Sequence, residues 1–190
     1  MIELSTLCVR FTTALALLSS VTYPLVAQHQ LTQEEALELA FGSTATIERR
    51  TAYLADAQLD SAKTLAGTGV DVRQSVVTFY VGSEGGTPVG VAYFDVHRVR
   101  TQPEVLMVVV SPQNKISRIE VLKFMEPPDY RAPAGWLDRF AGTVLSNRLS
   151  LKGDVVAITG ATLTSRAVTN ATRRILALHR VIRPFAGEGN

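Results

Sequence analysis

The residues best suited to chemistry lie at positions 157–168, AITGATLTSRAV, where three threonines and a serine surround one glycine. The preceding residues, GDVVAI, predict a short strand that ends at Ile158, and the following ones predict a helix that starts near Thr164 or Ser165. The first amide groups of a helix have no internal partners, and the helix dipole adds positive potential there. A turn of this kind can therefore hold an anion such as phosphate.

Within this turn, Gly160 leaves the backbone approachable and Thr162 presents a hydroxyl where the anion would lie. The competing interpretation is structural, because serine and threonine are preferred helix N-caps and Thr164 or Ser165 needs no further explanation. On physical grounds alone, a structural cap is the simpler account of any one of these hydroxyl groups.

The composition predicts one globular domain and excludes several function classes. The chain has 190 residues, of which 46% are hydrophobic, and its 19 Lys and Arg residues nearly balance 17 Asp and Glu. Nucleic acid is therefore not an expected partner. The histidines His29, His97 and His179 lack metal-ligand spacing, so no metal site is predicted. The single cysteine, Cys8, lies near the N-terminus, which excludes disulfides and thiolate chemistry from the domain.

Residues 1–28 are predicted to be an export segment rather than part of the fold. Residues 11–27, FTTALALLSSVTYPLVA, carry no charge and follow Arg10, as in a secretory signal. An uncleaved anchor is the alternative, although this run is at the short end of the roughly 17–25 residues that span a bilayer. Either way we expect residues 29–190, a single domain, to lie in the periplasm or at the outer face of the cytoplasmic membrane.

The rest of the sequence predicts an α+β fold, in which an antiparallel sheet meander packs against helices. Thr32 and Glu35 form a capping box before a first helix. A second helix is predicted through the fifties and ends at Gly67. Four successive strands are predicted in SVVTFYVG, PVGVAYFDV, EVLMVVV and ISRIEVLKF. A short helix is expected in GWLDRFAGTVLSNRL, and a last amphipathic helix should expose Arg173 and Arg174. The apolar positions of that helix are Val168, Ala171, Ile175, Leu178 and Ile182.

The stretch ITGATLTSRAV resembles the signature of the FMN-binding domain family, which includes the components of the sodium-translocating NADH:quinone reductase and of the Rnf electron-transport complex that carry covalent FMN. In that family a flavin transferase uses FAD to join FMN, through its phosphate, to the last threonine of an [ST]-G-A-T motif. The resemblance implies that Thr162 carries covalent FMN. It also implies that the neighbouring motif residues bind the cofactor: Thr159, Gly160, Ala161, Leu163, Thr164 and Ser165.

The resemblance extends more loosely over the last two-thirds of the chain, and it has one departure. Glu126 and Pro128 in FMEPPDY resemble a Glu-x-Pro element that precedes the family's final helices, which implies that Glu126 also belongs to the site. The family usually has Asp three residues before the first hydroxyl residue of the motif, where this chain has Val156. Asp154 is the candidate substitute, because residues two apart in a strand point to the same face.

Further candidates for contact with the flavin ring lie elsewhere in the sequence. In YFDVHRVRTQPE, His97 and Glu104 lie close to a predicted strand end and are retained as cofactor-binding candidates. Arg98 and Arg100 alternate with valines, which favours a solvent-facing side of the strand for both. Trp136 could stack on a flavin, although a lone tryptophan on a helix is more often part of a core or an interface.

These features lead to three hypotheses for the function. The first is an exported flavoprotein module that carries electrons through FMN and has no catalytic residue of its own. Its partners would be a flavin transferase and either a redox protein or a quinone, in a membrane complex or outside one. The second is a flavin-dependent reductase of a quinone or small compound, but no acid–base constellation in the sequence requires an enzyme. The third is a cofactor-free binding domain, which follows if Val156 prevents modification.

Overall fold

The computed structural model describes residues 30–186 as a five-stranded sheet with four α-helices. The strands are β1 (Thr46–Tyr53), β2 (Val76–Glu84), β3 (Thr87–Arg98), β4 (Pro103–Val110) and β5 (Ile116–Phe124). The helices are α1 (Gln33–Phe41), α2 (Asp56–Ala66), α3 (Ala134–Leu137) and α4 (Thr162–Ile182), and short 3₁₀ turns occupy Pro128–Tyr130 and Asp138–Phe140. The predicted export segment, with Cys8, lies outside the described residues. None of the helices within residues 30–186 has the length and apolar character needed to cross a membrane.

The strands form one antiparallel sheet whose order is the chain order, β1-β2-β3-β4-β5. Every strand pairs with its sequence neighbours. Short turns join β2 to β5, whereas the connection between β1 and β2 contains α2. The predicted α+β fold with an antiparallel meander is therefore confirmed, and β2 to β5 correspond to the four predicted strands. Most of β4 is buried on both faces, as its continuous apolar run LMVVV predicts.

Strand β1 is not predicted by the sequence pattern. Its sequence, TIERRTAY, is largely exposed because β1 is an edge strand that no helix covers well. A strand without a buried face lacks the alternation of apolar and polar residues that marks most strands. Only the later part of the predicted second helix forms, as α2. This helix ends at Gly67 as expected, where the Gly67 N–H donates to Lys63 O.

Helix α1 covers one face of the sheet. Its capping box is confirmed: the Glu35 N–H donates to Thr32 Oγ1 at 3.2 Å, and the Thr32 N–H donates to Glu35 Oε2 at 2.8 Å. The ring of Phe41 packs over Gly82, where a Cβ atom would come within 2.5 Å of the ring. Leu122 of β5 belongs to the same apolar cluster. The alternating pattern of β5 slips at Leu122 because the pairing with β4 shifts register there and leaves Leu122 without a partner on β4. The α1 cluster buries its side chain.

The opposite face of the sheet carries the main core, which is closed by α2, α3 and α4. Four predicted apolar positions of α4 are buried there, and Ile182 packs against them while partly exposed. The predicted short helix is less extensive than expected. Its Trp136, Leu137 and Phe140 are buried, but Val144 is exposed, because a 3₁₀ turn and then Gly142 with φ of 78° end the helix early.

The prediction that Arg173 and Arg174 lie on the exposed face of α4 is wrong. Only 7% of Arg173 and 8% of Arg174 is exposed, because α4 contacts α2 as well as strands β3 and β4. Arg173 donates to the carbonyl groups of Ala66 at 2.7 Å, Ser146 at 2.6 Å and Leu149 at 2.9 Å. Arginine is suited to such a position because its planar group offers several donors in fixed directions.

The segment before α4 also differs from its prediction, since residues 153–158 form no strand and α4 begins at Thr162 rather than near Thr164 or Ser165. Side chains and the backbone of the preceding turn, not a neighbouring strand, partner the backbone of this segment. Trp136 Nε1 donates to Val156 O at 2.7 Å. The Ile158 N–H donates to Ser165 Oγ at 2.9 Å. Residues 154–161 therefore reach α4 as an irregular segment held by α3 and by the first turn of α4.

Candidate functional site

The N-terminus of α4 forms one wall of an open cleft of about 280 Å³. The other walls are the turn between β3 and β4 and the segment that follows β5. The lining residues are Val99, Arg100, Glu126, Tyr130, Gly160, Ala161, Thr162, Leu163 and Thr164. The structure thus brings Glu126 together with most of the motif, as the resemblance implies. Thr159 and Ser165 are neighbours of the cleft but do not line it.

The first turn of α4 is open to an anion. The N-cap residue is Ala161, and no side chain caps the helix. Its first amide groups therefore remain available, with the positive end of the helix dipole behind them. Gly160 has φ of 80°, and no atom lies within 4 Å of the position that a Cβ would take, so the backbone is approachable here. The exposed Thr162 side chain stands beside these groups.

The next two hydroxyl groups have structural partners. Thr164 Oγ1 donates to Tyr130 O at 2.6 Å. Ser165 Oγ accepts from the Ile158 N–H at 2.9 Å and donates to Ala161 O at 3.1 Å. Both residues are buried. The prediction that Thr164 or Ser165 caps the helix is therefore wrong, because α4 begins at Thr162 and its N-cap is Ala161. Both hydroxyl groups instead anchor the neighbouring segments.

Glu126 holds the turn between β3 and β4 in place. Its Oε1 accepts from the N–H groups of Gln102 at 2.8 Å and Thr101 at 2.6 Å, and from the Thr101 hydroxyl at 3.2 Å. The backbone N–H groups of Gln102 and Thr101 lower the pKa of the Glu126 carboxyl below its usual value. Glu126 therefore stays ionised and ties this turn to the segment after β5.

The two arginines near this turn have different environments. Arg98 is exposed and donates to Thr101 O at 2.6 Å, in agreement with the solvent-facing position expected for it. Arg100 lies beyond the end of β3 and lines the cleft. Its guanidinium has no partner within residues 30–186. Arg100 is thus the cation that the cleft offers to a ligand.

His97 and Glu104 lie outside the cleft lining, in a buried ionic network. They are register partners on β3 and β4, and His97 Nε2 lies 2.9 Å from Glu104 Oε2. His97 Nδ1 lies 2.8 Å from Asp95 Oδ1, and Arg174 binds both oxygens of Asp95 at 2.7 and 2.8 Å. The structure therefore does not bring these two candidates to the cleft. They support the strand ends from which the β3–β4 turn emerges.

The network favours the charged form of His97. Burial would lower the pKa of His97, but the hydrogen bonds to Asp95 and Glu104 raise it to about 9. Burial would raise the pKa of Asp95, but the hydrogen bonds from His97 and Arg174 lower it to about 2. The network thus pairs two cations, His97 and Arg174, with the side chains of Asp95 and Glu104. Glu104 Oε1 is buried and has no hydrogen-bond partner among the described residues.

We expect the free energy of unfolding to decrease as the pH rises from about 6 to about 10. The pKa of His97 is about 9 in the folded protein, above its ordinary value of 6.5. The stabilisation that charged His97 contributes to the folded protein is therefore complete below pH 6.5 and is lost as the pH rises through 9. This contribution amounts to about 3 kcal/mol. Urea denaturation across this range measures the effect.

The control for this prediction is His97→Gln, which removes the titrating group and should flatten the pH dependence. His179 does not interfere in this range, because burial lowers its pKa to about 4. A wild-type stability that stays constant or rises between about pH 6 and about pH 10 would show that His97 is not held in its charged form.

Val156, at the position where the family usually has Asp, is 64% exposed. Asp154 is not free to replace that Asp. Arg148 binds the Asp154 carboxylate through Nη2 at 2.6 Å and through Nε at 3.0 and 3.1 Å, and this interaction lowers the pKa of Asp154. Asp154 also lines a different cavity from Thr162. The structure therefore gives Asp154 a role as the ion-pair partner of Arg148.

Sequence reasoning identifies some residues of this region and misses others. Trp136 is buried and packs edge-to-face on Phe140 at 5.1 Å, which agrees with the core interpretation. The sequence gives no signal for Tyr130 as a cleft residue. Arg100 belongs to the polar cluster in YFDVHRVRTQPE, but its alternation with valines predicts a solvent-facing strand position, whereas the structure places it beyond β3 in the cleft lining. Asp95 is also missed. The alternation of strand residues places Asp95 on the same face as His97, and this signal could have identified it.

The comparison with known families agrees with this site. Residues 101–177 match the family model of the FMN-binding domain. The matched range includes β4, β5, α3, the motif and most of α4, whereas β1 to β3 precede it. No curated protein matches the chain significantly. The match supports FMN as the cofactor. It also confirms the resemblance seen in the sequence: residues 101–177 of this chain match the FMN-binding domain family.

Proposed function

We propose that the protein is an exported flavoprotein that carries electrons through FMN, and that a flavin transferase joins the FMN phosphate to Thr162. The observation that carries the proposal is the position of Thr162. Its exposed side chain lies at the uncapped first turn of α4, in a cleft formed largely by the matched family region. A helix start of this kind favours a phosphate group.

The residues of the cleft fit the phosphate end of FMN. The free amide groups of α4 and the open backbone at Gly160 leave room for phosphate oxygens. Arg100 adds a guanidinium without a partner in the described part of the chain, and arginine binds phosphate with well-defined geometry. Glu126 holds the turn that carries Arg100. The N-terminus of α4 and the Arg100 guanidinium, two positive features, therefore border the same cleft.

The cleft is better suited to holding a flavin than to acid–base chemistry. FMN supplies one- and two-electron transfer when bound, and the protein binds it and orients it. Tyr130 and Leu163 expose 43% and 45% of their surface at the cleft and offer apolar contacts to the flavin. Among the described lining residues, the only carboxylate is Glu126, which is engaged by the β3–β4 turn. The lining therefore favours an electron carrier over a reductase that uses a carboxylic acid as its proton donor.

The test is to express the protein with a flavin transferase and to measure its intact mass and visible absorbance after denaturation. We expect an added mass equal to that of an FMN phosphoester and yellow colour that stays with the chain. A colourless protein of unmodified mass that also fails to bind added FMN would overturn the proposal. The location is tested by cell fractionation, and recovery in the cytoplasm would contradict export.

Arg100→Ala is expected to weaken FMN binding about tenfold, which corresponds to about 1.4 kcal/mol. The reason is the loss of a charge-assisted contact to the phosphate. The measurement is a flavin fluorescence titration of protein expressed without a transferase. Riboflavin, which lacks the phosphate, should bind equally to the wild type and the variant.

Arg98→Ala is the matched control for this experiment, because the Arg98 side chain is already engaged by Thr101 O and does not line the cleft. We expect Arg98→Ala to leave the affinities for FMN and for riboflavin nearly unchanged. If Arg100→Ala weakens riboflavin binding as much as FMN binding, Arg100 does not contact the phosphate.

A further inference from the structure

A second cavity, of about 430 Å³, lies against the segment that leads into α4. It shares no lining residue with the cleft at Thr162. Its volume lies within the range of roughly 300–1,000 Å³ that is usual for ligand pockets. The proposed function leaves this cavity without a role.

The inner surface of the cavity suits a flat apolar molecule. Trp136 and Phe140 both line it, and their rings pack edge-to-face at 5.1 Å. Leu149 adds a buried aliphatic side chain. Near the segment before α4, Val144 and Val156 line the cavity while 43% and 64% exposed. An aromatic ring gains both apolar burial and ring-edge contacts on such a surface.

Several polar groups that line the cavity already have partners. Trp136 Nε1 donates to Val156 O, and Thr143 Oγ1 donates to Phe140 O at 2.6 Å. The Asp154 carboxylate is bound by Arg148. Arg139 differs from these groups, because its guanidinium has no partner within residues 30–186. The cavity therefore offers a free cation beside an aromatic surface.

We propose that this cavity binds a planar aromatic carboxylate, with the ring against Trp136 and Phe140 and the carboxylate paired with Arg139. Guanidinium and carboxylate groups match in geometry and can form two parallel hydrogen bonds. The ligand is distinct from FMN, and its binding does not require the flavin.

The experiment uses the indole N–H signal of Trp136, which is the only tryptophan of the chain. The full ¹⁵N-labelled protein is titrated with 2-naphthoate and, separately, with the uncharged 2-naphthylmethanol. We expect a saturable shift of the indole signal with 2-naphthoate. Arg139→Ala should weaken the binding of 2-naphthoate about tenfold and leave the binding of 2-naphthylmethanol unchanged, because only the charged pair is lost.

Two further variants make the test specific. Arg166→Ala, an exposed residue of α4 outside this cavity, should leave both affinities unchanged. Val156→Asp places a carboxylate on the cavity wall, and it should weaken the binding of 2-naphthoate more than the binding of 2-naphthylmethanol. Arg139 and Val156 are exposed, so both variants are expected to fold.

Three results would overturn the proposal. The first is the absence of a saturable shift at millimolar 2-naphthoate. The second is an equal effect of Arg139→Ala on both probes. The third is loss of the response when FMN is loaded, which would assign the cavity to the flavin ring. If the protein binds no FMN but retains the response to 2-naphthoate, the proposed flavoprotein function fails while this inference stands.

Discussion

Thr162→Ala is expected to abolish covalent flavin completely while leaving the fold intact. The substitution removes the oxygen atom to which the phosphate would be joined. The Thr162 side chain is exposed at the first position of α4, where alanine is well tolerated, so we expect a stability change within about 0.5 kcal/mol. Intact mass and protein-bound absorbance after denaturation, with a flavin transferase co-expressed, measure the loss.

The control is Thr162→Ser, which keeps a hydroxyl at the same position and should retain the flavin. An unchanged flavin mass on Thr162→Ala would place the attachment at another residue and contradict the proposal. If the wild type releases its colour on denaturation, FMN is bound without a covalent link. Val156→Asp, which restores the family's usual residue, would then be expected to produce covalent attachment.

Arg174→Met is expected to lower the free energy of unfolding by about 3–5 kcal/mol. The substitution leaves the Asp95 carboxylate, whose side chain is 1% exposed, without the guanidinium that binds both of its oxygens. It also removes the donor to Asp71 O at 2.9 Å. Methionine has a long side chain without charge and therefore leaves little empty space in the core. The decrease in the free energy of unfolding then reflects mainly the lost ion pair. Urea denaturation at pH 7 measures the change.

Arg180→Met is the matched control, because Arg180 lies on the same helix but is exposed. We expect its effect to stay within about 0.5 kcal/mol. Arg174→Lys should fall between the two, since an ammonium group keeps the charge but cannot reproduce the paired contact to Asp95. A loss below about 1 kcal/mol for Arg174→Met would show that Asp95 does not depend on Arg174.

The elements with a periodic pattern are predictable from the sequence. Strands β2 to β5 bury at least one face, and the apolar side of α4 packs on the sheet, so hydrophobic spacing identifies them. Strand β1 has no such face, and its sequence pattern predicts helix instead. The segment before α4 is predicted as a strand because Val155, Val156 and Ile158 are β-formers, but no neighbouring strand is available within the described residues to pair with it.

The site residues that belong to a sequence motif can be predicted from the sequence. Those that only the tertiary structure brings to the site cannot. The motif identifies Thr162 and Gly160, and both line the cleft. The burial of Arg173 and Arg174 cannot be seen in the sequence, because helix periodicity shows that a residue lies off the apolar stripe but not whether another element covers it. The partner that makes Arg174 a core residue, Asp95, lies far away in sequence on β3.

The order of the sheet has a consequence for how the molecule folds. Strands β2 to β5 are joined by short turns, so this part of the sheet can form through successive hairpin closures, which cost little loop entropy. Strand β1 joins β2 only after the longer connection that contains α2. Docking of α4 is different, because this helix meets α2 and β3 from far along the chain and brings Arg173 and Arg174 with it. Contacts of this range form slowly. The cleft needs α4 in place, so a flavin held there would report that these long-range contacts have formed.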